Sequence, residues 1–332
     1  MIPHNHKGIF MSISQMQVFN KYFMPAIIET LGQQIQKFNA ASRGAIMLTT
    51  AGFEGDFLQE SFYQAIHGAR RRVDRYAANG SASPTDLTQL KHSSVKVAGG
   101  FGPIRYEPSQ MTWLEKPTAE GIEVASRNFA EALLQDQLNT AIAALVAAIS
   151  NQATATVNVS AKTGLTYSVL NDAHAKFGDS SGLIVANVMS GQVYHKLIGQ
   201  NLVNAQQLFE YGAVTVVDIL GKTVVVTDAP ALYATGTPNL QKVLGLVAGA
   251  ATVSDGGDLI TNIETSNGKE RIETTFQADY TFGLGLKGYT WDEATGGKSP
   301  TDAELATGTN WDKVATDIKH TAGVIAIGDA SK

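Results

Sequence analysis

Between Pro117 and Ser150 the apolar residues recur at helical spacing. Ile122, Phe129, Leu133, Leu138, Ile142, Leu145, Val146 and Ile149 form one stripe, with Glu120, Glu123, Arg127, Glu131 and Asp136 elsewhere. The acids crowd the first half, where the helix dipole favours them, and Pro117 and Thr118 are start signals. At ~1.5 Å per residue the pattern predicts a helix roughly 50 Å long, far beyond the ~11–12 residues of an average one. Ser14–Ala40 is the other long helical segment, with Met16, Phe19, Phe23, Ile27, Ile28, Leu31, Ile35 and Phe38 apolar and a kink expected at Pro25. It docks either on its own core or on another molecule.

Leu183–Pro230 changes period twice. Leu183-Ile184-Val185-Ala186 is a continuous apolar run, and Val188, Val193, Leu197 and Leu202 follow near helical spacing. Val214–Ile219 and Thr223–Val226 are β-branched runs split by Gly221, and Thr227-Asp228-Ala229-Pro230 is a stop. The block predicts strand, helix and paired strands around a small core. Tyr167–Phe177 predicts a short helix before it. Lys242–Val247 predicts a buried strand after it, and Arg271–Phe282 a strand with Ile272, Thr274, Phe276, Ala278 and Tyr280 on one side.

Residues 51–116 are harder to bury. Phe53–Gly68 suggests a short helical segment, Arg70–Tyr76 a strand, and Asn79–Pro84 a loop tip. Ser93, Val95 and Val97 alternate, Gly99-Gly100-Phe101-Gly102-Pro103 looks like a break, and Ile104–Tyr106 resumes. A two-stranded excursion from Ala69 to Trp113 with so few apolar residues is marginal alone, so it is expected to lie on a partner.

Composition narrows the classes. The 332 residues are 44% hydrophobic but only 17% charged, with a net charge of −5. A usual charged fraction is about a quarter, so much of the surface is expected to be covered by neighbours. The negative balance argues against wrapping nucleic acid through counterion release. There is no cysteine, which excludes disulfides, thiolate nucleophiles and cysteine zinc sites. The start of the chain lacks an apolar signal core, and the longest apolar run, Ala141–Ile149, is too short to cross a bilayer. These features predict a soluble protein, intracellular where it is made. Met11 is an alternative start.

Two motifs suggest chemistry and fail on context. Gly178-Asp179-Ser180-Ser181-Gly182 fits G-x-S-x-G, but a nucleophile elbow has the strand before the serine and the helix after it; here the predicted order is inverted. Gly283-Leu284-Gly285-Leu286-Lys287-Gly288 fits G-x-G-x-x-G, yet no helix follows to receive a pyrophosphate. His4, His6, His67, His92, His174, His195 and His320 show no repeated ligand spacing beyond the His4/His6 pair. No catalytic residue, cofactor or metal is assigned.

Tyr194 and Leu197, then Gly221, Val224, Val226, Thr227, Asp228 and Pro230, follow a Tyr-x-x-Leu helix and a G-x-x-V-x-V-T-D-x-x-P strand. Farther on come Gly288-Tyr289-Thr290-Trp291 and Thr301-Asp302-Ala303-Glu304-Leu305-Ala306 with Asn310-Trp311. In this order, from about Ala69 onward, the chain resembles the major capsid proteins of tailed double-stranded DNA bacteriophages. The resemblance implies an α+β fold with an N-terminal arm (1–50), an extended β-hairpin loop (51–116), and a spine helix with a peripheral domain (117–230). It further implies an axial domain (231–287), whose small residues near Ala248–Asp258 crowd the capsomer axis, and a C-terminal segment returning to the peripheral domain (288–332).

The function implied is a structural one, without enzymatic activity. The chain would self-assemble into hexamers and pentamers of an icosahedral virion shell in the host bacterial cytoplasm, with scaffolding, portal and decoration proteins as further partners. It would enclose double-stranded DNA without sequence-specific binding and touch no membrane. Hinges are expected near Gly68, Gly99-Gly100 and Pro117. Arg70, Arg71, Arg72 and Arg75 form the densest basic cluster, suited to carboxylates across a subunit boundary, to DNA phosphates, or to solvent. Lys91 and Lys96 join them as candidate inter-subunit contacts. Some members of the family cross-link lysine to asparagine between subunits; sequence spacing does not place an asparagine or a catalytic acid relative to these lysines, and no cross-link is assigned. The alternatives are an encapsulin-type cargo compartment and, in another class, an α/β hydrolase or an oxidoreductase.

Overall fold

The computed structural model describes residues 42–332, apart from 50–51, 54, 64–69, 79, 82, 85, 87–88, 107–118, 205–221, 269 and 271–272, together with Ile35 and Asn39. The strand expected at Val214–Ile219, the start signals Pro117 and Thr118, the hinge at Gly68 and most of the Ser14–Ala40 helix lie outside the described residues. Of that helix, Ile35 is buried in the core, and Asn39 brackets Leu48, accepting from its N–H at 3.0 Å and donating to its carbonyl at 2.7 Å.

Two sheets share one long helix. The helix, α1, spans Ala119–Ser150, 32 residues, matching the long apolar stripe. Its two halves bury differently. Phe129, Ala130 and Leu133 face inward from an amphipathic surface, whereas nearly every residue from Thr140 to Ile149 is buried. A helix apolar all round belongs in a protein interior or a membrane. Arg127–Ser150 is long and apolar enough to cross a bilayer, but here it is packed within the protein core.

The first sheet has eight strands: β1 (Ile46–Thr49), β2 (Phe57–Tyr63), β3 (Gln89–Tyr106), β9 (Ala251–Asp255), β10 (Ile260–Ser266), β11 (Glu273–Leu286), β12 (Tyr289–Trp291) and β13 (Trp311–Lys313). β11 is its axis. β3 runs antiparallel along one side of it, from Thr274↔Tyr106 to Leu284↔Val95, and β10 and β9 share the other side. β1 adds to β9 in parallel, β2 to β3 in antiparallel. The alternation expected along β11 is present: Ala278, Tyr280 and Phe282 are buried. Phe101 of β3 meets Phe129 of α1 edge-on at 5.4 Å and Tyr280 at 5.5 Å, so an aromatic cluster ties α1 to the sheet.

The second sheet has six strands: β4 (Thr156–Asn158), β5 (Ile184–Met189), β6 (Thr223–Val226), β7 (Tyr233–Ala234), β8 (Leu240–Val247) and β14 (Gly323–Asp329), in the order β4-β14-β8-β5-β6 with β7 beside β8. α2 (Tyr167–Ala175) and α3 (Gly191–Asn204) flank it, as the short-helix and strand–helix–strand readings expected. The segment 231–287 thus feeds both sheets, as does 288–332, where α4 (Asp302–Leu305) lies between β12 and β13.

Three local expectations fail. Phe53–Gly68 holds strand β2 rather than a helix, because Phe57 to Tyr63 pairs with Gln89 to Val95 far along the chain. Arg70–Tyr76 is irregular and exposed rather than a strand. The glycine-rich Gly99–Pro103 does not end the strand: it lies inside β3, where the register against β11 shifts between Phe101 and Ile104. Gly99 sits there because a Cβ would lie 2.8 Å from the Tyr280 ring; close packing, not hinging, calls for the glycine.

Candidate functional site

The motifs that suggested chemistry are structural. Gly178–Leu183 is a 3₁₀ turn between α2 and β5, the inverse of a nucleophile elbow. Ser180 Oγ donates to Asp179 Oδ1 at 3.4 Å, and Asp179 in turn pairs with Lys319 Nζ at 2.5 Å. No histidine enters this set. The hydrogen bond from Lys319 holds the Asp179 carboxyl below its ordinary range, the opposite of a general base being raised toward neutrality. The G-x-G-x-x-G run is the end of β11 and its turn. A Cβ at Gly283 would strike the Phe53 ring at 2.0 Å, and Gly288 turns with φ +78°. Among the described residues no group of three or more metal-ligating side chains converges.

The residues that carried the family resemblance prove to be fastenings. Asp228 Oδ1 accepts from the Gly191 N–H at 3.0 Å and so caps the start of α3, while Leu197 is fully buried. Thr301 and Glu304 form a capping box on α4. Beyond it Asn310 donates to the Glu304 carbonyl at 2.9 Å and Trp311 Nε1 to the Leu305 carbonyl at 3.0 Å. Trp311 meets Trp291 edge-on at 4.8 Å, and both are buried. Tyr289 is buried beside them, which pushes its hydroxyl up to about 12.

The exposed feature that remains is the β2–β3 ribbon with its long connection. Arg70, Arg71, Arg72 and Arg75 are all exposed on that connection, and the first three have no ion-pair partner among the described residues. The Arg75 guanidinium lies 5.8 Å from the centre of the Tyr76 ring, which is itself 91% exposed. Val73 is 67% exposed.

Lys91 and Lys96 are placed at the root of the ribbon, on opposite faces of β3, and each is paired within its own chain. Lys91 Nζ lies 2.7 Å from Glu293 Oε1, and Lys96 Nζ 2.8 Å from Asp258 Oδ2. The lysine hydrogen bond, foremost, holds each carboxyl below its usual range. The partners lie 202 and 162 positions away, a separation with no signal in sequence spacing. His174, unremarkable in the sequence, is buried with Nε2 2.9 Å from Asn187 Oδ1, and burial draws its pKa below the ordinary value.

A two-sheet body knit around one long helix, with a two-stranded ribbon extending from it, is the architecture of solved phage capsid chains. Solved virus structures share the fold. Cyanophage Pam1 capsid matches with a TM-score of 0.52 at 12% identity, covering 86% of this chain and 88% of that one. A chain of Mycobacterium phage Cain matches with a TM-score of 0.51 at 10% identity, covering 85% and 88%. No curated protein sequence matches significantly. The chain belongs to the Gp13-like family, the major capsid protein 13-like proteins, whose family model matches residues 15–325. Its role is that of a structural subunit of a phage capsid shell, self-assembling with copies of itself in the virion.

Proposed function

We propose that this subunit works by assembly alone, and that the β2–β3 connection with Arg70, Arg71, Arg72 and Arg75 is a principal contact to the neighbouring copy. The observation that carries this is the cluster of exposed arginines beside Val73 and Tyr76 at the end of a ribbon whose root is fastened in the sheet. Arginine forks recognise carboxylates in two-point geometry, and Val73 and Tyr76 supply the apolar part of such a contact. Copies would pack as hexamers and pentamers, each contact modest and the closed shell held by their sum. The segments 1–50, 51–116, 117–230, 231–287 and 288–332 would serve as arm, extended loop, spine with peripheral domain, axial domain and returning segment. Lys91 and Lys96 would act on the same surface through the ribbon they anchor.

In this reading the chain catalyses nothing; the carboxylate beside Ser180, Asp179, is held by Lys319, and no histidine joins the pair among the described residues. Its net charge of −5 suits enclosure of double-stranded DNA without gripping it. Assembly would take place in the host cytoplasm with scaffolding and portal proteins, and decoration proteins would add to the finished shell.

The test is negative-stain microscopy of the protein expressed alone and with a scaffolding protein from the same genome. The expected result is closed shells from the parent chain. Changing Arg70, Arg71, Arg72 and Arg75 together to Glu should leave soluble, folded subunits and no shells. Shells of parental number and size from that variant would remove the arginines from the interface.

A further inference from the structure

The root of the ribbon is held in an unusual way. β11 pairs with β3 only as far as Leu284↔Val95. Among the described residues, β3 from Ser94 back to Gln89 pairs as a strand with β2 alone, and its hydrogen bonding to β11 is reduced to His92 Nε2, 3.1 Å from the Leu286 carbonyl oxygen. A two-stranded ribbon leaving a sheet is marginally stable and free to twist and swing about its root. Here the segment around β12 takes over where β11 stops. Thr290 Oγ1 accepts from the Ser93 N–H at 2.8 Å. Two residues past β12, Glu293 Oε1 accepts from Gln59 Nε2 at 3.0 Å, Lys91 Nζ at 2.7 Å and Ser93 Oγ at 2.8 Å. Gln59 belongs to β2; Lys91 and Ser93 belong to β3. One carboxylate oxygen therefore holds both strands on one face. On the other face Asp258 Oδ2 accepts from Lys96 Nζ at 2.8 Å and from Thr281 Oγ1 at 3.0 Å, which joins β3 to β11.

We infer that Glu293 is the positioning residue that sets the angle at which the β2–β3 ribbon leaves the eight-stranded sheet, coupling the ribbon to the C-terminal segment. A lone exposed ion pair contributes little, because solvent screens it and two long side chains must be ordered. Three donors from two strands converging on one acceptor are different: swinging the ribbon breaks all three together. The Lys96–Asp258 pair is no substitute, since neither of its strands is β2. The inference concerns the isolated subunit, so it stands or falls independently of the proposed arginine contact.

The chain has no cysteine, so Asp86→Cys, just before β3, and Asp172→Cys, exposed on α2, give a unique pair for spin labels. Distance distributions are measured by pulsed electron resonance on the unassembled full chain, with amide exchange followed in parallel. In Glu293→Ala the distribution should at least double in width, and amides of β2 and of residues 89–94 should exchange ten-fold faster or more. Glu293→Gln, which keeps an acceptor oxygen, should give an intermediate width. Exchange in β8 and β14 should stay parental in both variants. A parental width in Glu293→Ala overturns the inference. So does broadening accompanied by faster exchange in β8 and β14, which marks general loosening.

Discussion

Trp311 shows how a residue acquires meaning from its surroundings. Its ring is fully buried, edge-on to Trp291, and its indole N–H ends on the Leu305 carbonyl. Trp311→Ala should cost about 3–5 kcal/mol, as large aromatic deletions in cores do. Trp311→Phe, which keeps a ring but strands the carbonyl, should cost less. Urea unfolding of the unassembled subunit measures both. His174 gives a pH dependence. The unfolded chain takes up its proton near pH ~6.5. The folded protein does so only at lower pH, because burial outweighs the Asn187 hydrogen bond and Lys222 adds repulsion. Stability is therefore unaffected by this group well above pH ~6.5 and falls as pH drops through that value. His174→Gln, which retains a donor toward Asn187, should flatten the change in urea midpoint between about pH 7 and 5. The Thr301–Trp311 motif was legible in the sequence because its bonded parts lie within a few residues of each other. Glu293 was not, since its three donors come from strands some two hundred positions away.

At the scale of elements, the local pattern succeeded where a stretch carries one sustained apolar run or stripe. α1, α2, β5, β8 and β11 each carry one clear pattern and appear where it placed them. β2 and β3 have no such pattern. β2 carries Phe57, Leu58, Phe62 and Tyr63 without strict alternation and is aligned through its pairing with β3, and β3 passes from ribbon to sheet interior halfway along, with Gly99, Gly100 and Gly102 inside it. Glycines that read as a hinge are spaces for the side chains of β11. Gly99→Ala tests this: a Cβ 2.8 Å from the Tyr280 ring must push it aside. That ring packs on Phe101, and its hydroxyl donates to Asp136 of α1 at 2.6 Å, so the displacement is passed to the helix. Overpacking of this kind costs about 1–3 kcal/mol. The expected result is a lowered urea midpoint with the m-value unchanged. If the site were a hinge, the substitution would leave the midpoint near parental and slow a motion instead.

At the scale of the molecule, the resemblance to phage capsid subunits was legible, but the way the chain closes on itself was not. β1 finds β9 in parallel and β14 inserts between β4 and β8, pairings that no local signal encodes. The element that makes one body of the two sheets is α1. Its first half enters the aromatic cluster of Phe101, Phe276 and Tyr280, and its second half is buried against β14 and the turn at Pro230–Leu232 in the same continuous core. Gln137 and Thr140, both buried, mark the passage from one to the other. A shell subunit needs this rigidity, because contacts at its rim transmit force only through a body that does not shear. Ala141→Pro places the break at that passage. It removes one helical N–H and crowds the carbonyl of Gln137, costing about 3 kcal/mol or more. Because α1 serves both cores, both sheets should loosen together. With Trp113 replaced by Phe, fluorescence of Trp291 and Trp311, in β12 and β13 of the eight-stranded sheet, and amide exchange of β8 and β14, in the six-stranded one, should report the same lowered midpoint. Loosening of one sheet with the other at parental stability would show two independent domains joined by a passive rod.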